Sequence, residues 1–232
     1  SRFGLSLVLG GGEVSLLELV SAYSVFANDG VRNPHNAIQR VYDGNGETIS
    51  EYSPSPRRVM PEETSRMISS ILSDNIARSP AYGLNSTLYI PSRPVAVKTG
   101  TTNDYKDAWI VGYTPNLVIG AWVGNNENIS MEKKVAGFIV APLWRELMDQ
   151  VLPNFNKESF EPMSPIDPNI KPILRGDFSS IGNHSILYFV DKDNPLGPAP
   201  MNPSLDPQFE NWEKAVSTYV QFGNTRLPTE TR

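Results

Sequence analysis

The chain has 232 residues, of which 39% are hydrophobic and 19% charged, a composition typical of one globular domain with or without an appendage. Its net charge of −5 excludes nucleic acid as an expected partner, because phosphate binding needs a local surplus of Lys and Arg. With no cysteine and two histidines, disulfides and thiolate zinc sites are excluded, and neither a metal nor a cofactor is expected.

The amino-terminal end carries no targeting pattern. Ser1, Arg2, Phe3 and Gly4 lead directly into patterned sequence without an initiator Met, which we interpret as a cut inside a longer protein. No apolar run approaches the roughly 18–20 residues that a membrane-spanning helix needs. Any attachment to a membrane is therefore expected only through a preceding part of the protein.

Two elements are predicted before residue 60. Ser15 and Glu18 have the spacing of a capping box, and apolar residues on one face as far as Phe26 predict a helix. This helix is expected to end at residues 28–30, where a glycine can adopt the left-handed conformation. The Asp-Gly-Asn-Gly sequence at residues 43–46, flanked by apolar residues, predicts a β-hairpin.

A second helix is predicted to begin at Pro61, with Glu62 and Glu63 near its positive end. Its buried face is expected to comprise Met67, Ile68, Ile71 and Leu72. A loop rich in Ser, Asn and Pro is expected to follow as far as Arg93.

The next apolar runs predict a sheet. Residues 94–98 are predicted to form a strand, and residues 108–113 and 117–123 an antiparallel hairpin around a Thr-Pro-Asn turn. Residues 141–151 are predicted to form a helix. The side chains expected to pack from it are Leu143, Trp144, Leu147, Met148 and Val151.

The sequence changes character at residue 153. Eleven of the 20 prolines lie in the last 80 residues, where only residues 186–190 resemble a strand and residues 212–219 a short helix. We therefore predict a folded unit over residues 1–153 and a loosely structured, proline-rich extension over residues 154–232. Since the extension has no cluster of acids, bases or nucleophiles, we expect it to be dispensable for chemistry.

The strongest chemical signal is the Lys98-Thr99-Gly100 tripeptide at the end of an apolar strand, followed by Thr101, Thr102 and Asn103. This tripeptide is one of three motifs of penicillin-binding proteins and class A β-lactamases, and it is weak evidence when it stands alone. Residues 98–115, together with residues 10–30 and 71–78, closely resemble the class A (bifunctional) penicillin-binding proteins. The resemblance covers about residues 1–152.

The resemblance implies a fold and an activity. The fold would be α/β, an antiparallel sheet flanked by helices, of which this chain supplies the carboxy-terminal part. The parent would be a peptidoglycan D,D-transpeptidase that cross-links stem peptides by serine acyl transfer and binds β-lactam antibiotics. The same resemblance implies a glycosyltransferase domain and a membrane anchor in the parent, at the extracytoplasmic face of the bacterial membrane.

The residue chemistry agrees with a peptide-binding strand. An edge strand offers free backbone groups to an extended peptide, and Gly100 lets that backbone approach closely. Thr99 and Thr101 share one face of the strand, so both hydroxyls can reach one carboxylate. Strict alternation directs Lys98 to the opposite face, whereas the resemblance places it in the catalytic cleft. The resemblance also gives the backbone N–H of Thr101 to an oxyanion hole.

These arguments predict the site residues. Lys98 and Thr101 are the expected catalytic residues, and the expected substrate-binding residues are Thr99, Gly100, Thr102 and Asn103. We expect structural roles for Asp104 and Asp107, because loops that enter a strand commonly carry acids.

Two other sequence matches are interpreted as coincidental. Residues 73–75 match S-D-N and residues 130–133 match S-x-x-K, but their order along the chain is not that of the family. The nucleophilic serine, its lysine and the true S-x-N motif are therefore expected before Ser1. Two alternatives stay open: a non-catalytic, transpeptidase-like module that binds peptide, and a stand-alone β-lactamase, which the segment at residues 105–109 and the long extension disfavour.

Overall fold

The computed structural model describes residues 4–177 and 182–223. It divides into two compact units, Ser1–Ser164 and Pro165–Arg232. The boundary predicted at residue 153 stays a prediction. Within the described residues, no helix combines the length and apolar character needed to span a membrane.

The first unit contains five α-helices and seven strands among its described residues, besides three short 3-10 helices. The helices are α1 (Leu16–Ala27), α2 (Glu62–Ser73), α3 (Asn75–Tyr82), α4 (Ala136–Ile139) and α5 (Ala141–Val151). The strands are β1 (Val31–Arg32), β2 (Arg40–Tyr42), β3 (Thr48–Glu51), β4 (Arg57–Arg58), β5 (Ala96–Thr101), β6 (Asp107–Thr114) and β7 (Leu117–Gly124). Strands β5, β6 and β7 form one antiparallel sheet in that order, while β1 pairs with β4 and β2 with β3.

Helix α1 begins and ends where the sequence predicts. The Ser15 hydroxyl accepts from the Glu18 backbone N–H, and a Glu18 carboxylate oxygen accepts from the Ser15 N–H at 2.9 Å. After the helix, Gly30 has φ +86, and a side chain there would collide with the Met60 carbonyl oxygen at 2.2 Å. Glycine is therefore required at this position by both conformation and space.

The small hairpin is also confirmed. Strands β2 and β3 flank a turn in which one Asp43 carboxylate oxygen accepts from the backbone N–H groups of Asn45 and Glu47. Gly46 has φ +85, which favours glycine at the end of this turn. Arg40 and Glu51 join the two strands through a salt bridge on their exposed faces.

One face of the central sheet packs against α5. The Trp144 ring is fully buried there, and its Nε1–H donates to the Ile119 carbonyl at 3.1 Å. Met148 is also buried, as predicted, but Leu143 and Leu147 are more than 40% exposed, so their predicted packing is wrong. The reason is geometric, since a single helical stripe centred on Trp144 and Met148 is enough to cover three short strands.

Gly112 of β6 is the point where α5 approaches the sheet most closely. A Cβ atom there would lie 2.1 Å from Cζ2 of the Trp144 ring, which is fully buried. We expect Gly112→Ala to lower the free energy of unfolding by about 1–3 kcal/mol, the usual cost of overpacking a core. The measurement is urea unfolding followed by tryptophan fluorescence.

Gly44, in the β2–β3 turn, provides the control for that experiment. A Cβ atom there meets nothing within 4 Å, so Gly44→Ala should change stability by less than about 0.5 kcal/mol. Equal stability of the two variants would mean that the Trp144 ring can move aside without loss.

The opposite face of the sheet packs against α1 and α2 around Tyr113, whose side chain is fully buried. Its hydroxyl lies 3.1 Å from that of Ser69, and its ring packs edge-on against Tyr23 at 6.2 Å. Burial raises the pKa of Tyr113 to about 12, although its hydrogen bond with Ser69 acts in the other direction. The hydroxyl therefore stays protonated near neutral pH.

The predicted buried face of α2 is wrong in part. Ser65 and Ser69 are its buried residues, Ile68 and Leu72 are half-buried, and Met67 and Ile71 are exposed. Two small buried residues one turn apart allow α2 to approach the sheet closely. The apolar periodicity therefore predicted the helix correctly. The predicted inner face differs from the observed one by about one residue position around the helix axis.

Helix α3 occupies part of the segment that was predicted to be a loop. The Asp74 carboxylate caps it by accepting from the Ala77 N–H at 2.9 Å. Pro80 lies inside the helix and cannot donate to the Ile76 carbonyl, which instead accepts from the Ser79 hydroxyl at 2.8 Å. This side-chain donor allows a short helix where the proline content favoured a loop.

Residues 155–164, here called the docked segment, pack along the first unit. Arg93 is buried and its guanidinium donates to the carbonyls of Leu152, Phe155 and Asn156 at 2.9–3.1 Å. The Phe160 ring lies 5.6 Å from the Tyr113 ring in an edge-to-face arrangement. At its end, the backbone N–H and hydroxyl of Ser164 both donate to the Glu63 carboxylate.

The second unit contains helices α6 (Ile186–Phe189) and α7 (Phe209–Gly223) within its described residues. The strand predicted at residues 186–190 is wrong, because these residues form one helical turn in which the Val190 N–H donates to the Ile186 carbonyl. Helix α7 contains the helix predicted at residues 212–219. The Lys171 ammonium donates to the Phe189 carbonyl at 2.8 Å and so fixes the end of α6.

Candidate functional site

The predicted site residues lie at the end of β5, an edge strand among the described residues. Its six residues pair with β6 from Ala96 opposite Tyr113 to Thr101 opposite Ala108. The first half of the strand is buried and the second half is not: Ala96 and Val97 belong to the core, whereas Lys98, Gly100 and Thr101 are exposed. The second half of β5, which carries the predicted site residues, therefore extends into solvent from a half that is anchored in the core.

Thr99 and Thr101 point to the same face of the sheet, as strand alternation predicts. The Thr99 hydroxyl oxygen lies 2.9 Å from the Tyr82 hydroxyl. The Thr101 hydroxyl oxygen accepts from the backbone N–H of Ala136, the first residue of α4, also at 2.9 Å. Two hydroxyls with fixed orientation thus stand two residues apart on one face.

Lys98 lies on the other face, in register with Val111 of β6. Its side chain is exposed, and its ammonium group donates to the Thr99 carbonyl at 2.6 Å. The amine therefore contacts the backbone of Thr99, although the Lys98 Cβ points to the opposite face from the Thr99 hydroxyl. A lysine side chain of four carbons allows this return.

Gly100 is not required by the packing of this unit. A Cβ atom there would lie 3.6 Å from the Trp109 Cβ, which is an ordinary contact distance. The position is also outside the left-handed region, so an alanine would be tolerated. The absent side chain instead leaves the outer surface of β5 open to an approaching backbone.

Thr102 and Asn103 lie in the connection from β5 to β6, and Asp107 holds that connection in place. The Thr102 hydroxyl donates to one Asp107 carboxylate oxygen at 2.8 Å and accepts from the Asp107 N–H at 2.8 Å. The other carboxylate oxygen accepts from Trp122 Nε1 at 3.0 Å. The structural role expected for Asp107 fits these contacts.

Asp104 and Tyr105 complete the same connection with positive φ values of 59 and 55. Such values are uncommon for residues other than glycine and are sustained here by surrounding contacts. One of these contacts is the bond from the Met131 N–H to the Tyr105 carbonyl at 2.9 Å. The turn after the Lys-Thr-Gly motif is therefore fixed in shape.

The residues of the two matches interpreted as coincidental have local contacts or lie in solvent. Ser73 ends α2 and donates to the Ser70 carbonyl, while Asn75 donates to the Leu84 carbonyl at 2.8 Å. Ser130 and Lys133 lie on an exposed loop. Within residues 4–177 and 182–223, no group of three or more His, Asp or Glu side chains is placed to hold a metal ion.

Sequence reasoning missed two supports of the site, Tyr82 and Ala136. Tyr82 lies in the segment expected to be a loop, and nothing in its neighbours places it beside Thr99, 17 residues later. Ala136 contributes only a backbone N–H, which no residue pattern can reveal. Both contacts depend on tertiary structure.

Comparison with known proteins places residues 3–149 in a family model described as the penicillin binding protein transpeptidase domain. Penicillin-binding protein 1A of Aquifex aeolicus is 38% identical over 173 residues, which cover 72% of this chain and 23% of that protein. Penicillin-binding protein 1A of Neisseria lactamica is 34% identical over 151 residues, covering 62% and 18%. The chain spans about a fifth of the length of these curated relatives.

Solved structures show the same relationship. PonA1 from Mycobacterium tuberculosis in complex with penicillin V superposes with a TM-score of 0.60 and 26% identity, over 70% of this chain and 47% of that one. Penicillin-binding protein 1A from Haemophilus influenzae superposes with a TM-score of 0.59 over 72% of this chain and 30% of that one. At 21% identity, the second match shows the fold alone. These neighbours confirm the fold class predicted from the sequence.

Proposed function

The chain belongs to the penicillin-binding protein transpeptidase family, and from that premise we propose that it is the substrate-binding part of a serine-type peptidoglycan D,D-transpeptidase. In the parent protein it would cross-link stem peptides and be acylated by β-lactam antibiotics. The nucleophilic serine and its lysine would be supplied by a segment that precedes Ser1. The reaction would take place at the extracytoplasmic face of the bacterial cytoplasmic membrane.

The observation that carries the proposal is the arrangement at the exposed end of β5. Thr99 and Thr101 are alternate residues of one strand, whose backbone repeat is about 6.5–7 Å, so both hydroxyls can reach the two oxygens of one carboxylate. The Lys98 ammonium, bonded to the Thr99 backbone carbonyl, adds positive charge to this end of the strand. A peptide with a free carboxylate that lies along β5 would satisfy all three groups.

The proposed reaction is acyl transfer in two steps. The serine oxygen attacks the penultimate D-Ala carbonyl, the peptide bond breaks, and the terminal D-Ala leaves with the proton that a general base took from the serine. An amine from a neighbouring stem then attacks the acyl carbonyl, the ester bond to the serine breaks, and the proton lost by the amine returns to the serine oxygen through the general base. Lys98 would supply charge and proton relay, and the Thr101 backbone N–H would stabilise the developing oxyanion.

The substrate backbone would lie against Gly100, where the open surface of β5 permits close approach. Thr102 and Asn103, in the turn that follows β5, would contact the substrate next to Gly100. Because the Asp107 carboxylate fixes that turn, these two residues would present a constant surface to the substrate.

A labelling experiment on the full-length protein tests this function. The protein is incubated with a fluorescent penicillin, digested, and the modified peptide is identified by mass spectrometry. Covalent label on a serine that precedes Ser1 by sequence supports the proposal. A protein that binds D-Ala-D-Ala peptides but accepts no label would instead be a non-catalytic peptide-binding module.

The 232-residue chain by itself should form no covalent adduct with penicillin. Ser73 already donates to the Ser70 carbonyl, and Ser130 lies on an exposed loop where no buried base can activate it. Intact-mass analysis after incubation with a large excess of drug is the measurement. A stoichiometric gain in mass on either serine would overturn this assignment.

A further inference from the structure

We propose that Tyr82 is a positioning residue that turns the Thr99 hydroxyl proton toward the substrate carboxylate. The inference deepens the proposed function and rests on it. It depends on the short contact between the two hydroxyls and on the direction in which each proton must point when an anion is bound.

Tyr82 is held in place independently of its hydroxyl. It is the last residue of α3, and its ring packs against Gly137 so closely that a Cβ atom there would lie 2.5 Å from Cε1 of the tyrosine. The ring also borders the buried core beneath α5. The hydroxyl is thereby delivered to Thr99 Oγ1 at 2.9 Å by a rigid ring.

The proton positions at Thr101 are fixed by chemistry. The Ala136 backbone N–H can only donate, so Thr101 Oγ1 is the acceptor in their 2.9 Å contact. The proton of Thr101 is then left for another acceptor. A bound carboxylate, which can only accept, would use it.

Thr99, like Thr101, keeps its own proton free for the carboxylate only if Tyr82 donates the hydrogen bond between the two hydroxyls. Either hydroxyl can donate in the pair, but a Thr99 proton directed at Tyr82 cannot also be given to a carboxylate. When the anion binds, the favoured arrangement is therefore Tyr82 to Thr99 to carboxylate, parallel to Ala136 to Thr101 to carboxylate. Hydrogen bonds in such chains strengthen one another.

A packing role alone would not need the tyrosine oxygen. A phenylalanine ring would fill the same space against Gly137, but Thr99 Oγ1 would then lose its donor. The Thr99 hydroxyl would have to bind the anion without that support. Removing the oxygen should therefore affect recognition of the carboxylate more than the stability of the fold.

A double-mutant cycle on the full-length protein tests the inference, with the second-order rate constant for acylation by benzylpenicillin as the readout. Thr99→Val should lower this constant about tenfold or more, and Tyr82→Phe about threefold to tenfold. The double variant should be no slower than Thr99→Val, because Tyr82 acts through the Thr99 hydroxyl. Thr99→Ser, which keeps the hydroxyl, should restore the sensitivity to Tyr82→Phe.

The outcomes separate the two proposals. If Tyr82→Phe leaves the rate constant unchanged, or slows Thr99→Val and wild type by the same factor, the positioning role is wrong while the proposed function stands. If wild type itself accepts no label, the proposed function fails and the inference falls with it. Melting temperatures within a few degrees of wild type confirm that the variants fold.

Discussion

Lys98→Ala should lower the rate constant for acylation of the full-length protein by roughly 10²-fold or more, which is the usual cost of losing a positioned electrostatic or proton-transfer group. The side chain is exposed, and its hydrogen bond is to the carbonyl of the neighbouring residue, Thr99. Its loss should therefore change the melting temperature little. Stopped-flow or gel-based labelling with a fluorescent penicillin measures the rate, and thermal unfolding measures the fold.

Lys133→Ala provides the matched control. Lys133 is also exposed and lies in the coincidental S-x-x-K match, so its removal should change neither the rate nor the fold. Unchanged acylation in Lys98→Ala would return Lys98 to the role of a solvated lysine at a strand end. Equal losses in both variants would point to a general effect of positive charge on capture of the anionic drug.

Lys98→Arg adds a further distinction. Arginine keeps the positive charge but cannot lose a proton near neutral pH, and its planar group occupies a different shape. If Lys98 acts only through charge, this variant should recover much of the lost rate. If Lys98 relays a proton, Lys98→Arg should remain close to Lys98→Ala.

Local signals in the sequence were sufficient for several elements. The capping box at Ser15 and Glu18 marks the start of α1, and the Asp-Gly-Asn-Gly turn at residues 43–46 marks the small hairpin. Both are determined by residues within a few positions of one another. The three strands of the central sheet were also evident as apolar runs, because a buried strand needs few other features.

Features that depend on distant contacts were not evident. The inner face of α2 is set by Ser69 meeting Tyr113, 44 residues later, which outweighs the apolar character of Met67 and Ile71. The run at residues 186–190 is rich in strand-forming side chains, yet it forms a helical turn fixed by Lys171. Tertiary contacts overrode local propensity in both cases.

The candidate site also has a part that the sequence predicts and a part that depends on distant contacts. Lys98, Thr99 and Gly100 could be identified because the motif and its flanking residues resemble a known family. The neighbours that orient the two hydroxyls come from α3 and α4, which are remote in sequence and carry no motif. Residue types therefore predicted the chemistry, while the structure supplied the geometry that makes it specific.

Ending the protein after Pro153 should destabilise the first unit by about 1–3 kcal/mol relative to ending it after Ser164. The shorter form loses the carbonyls of Phe155 and Asn156, which leaves the buried Arg93 guanidinium with one of its three acceptors. A hydrogen bond to a charged group contributes about 1.5–3 kcal/mol, and water that reaches Arg93 once the docked segment is gone offsets part of this loss. The loss of the Phe160 contact with Tyr113 adds to it.

The two truncations form a matched pair, since both lack Trp212 and retain the tryptophans of the first unit. Urea unfolding of the two shortened forms of the 232-residue chain, followed by tryptophan fluorescence, then reports on the same three rings, Trp109, Trp122 and Trp144. When the full-length protein is ended at the same two residues, we expect acylation to stay within a few-fold of the parent, because no acid, base or nucleophile of the proposed site follows residue 153. Equal stability would show that the docked segment only rests on the surface, whereas loss of acylation in a folded protein would make residues after Pro153 part of the site.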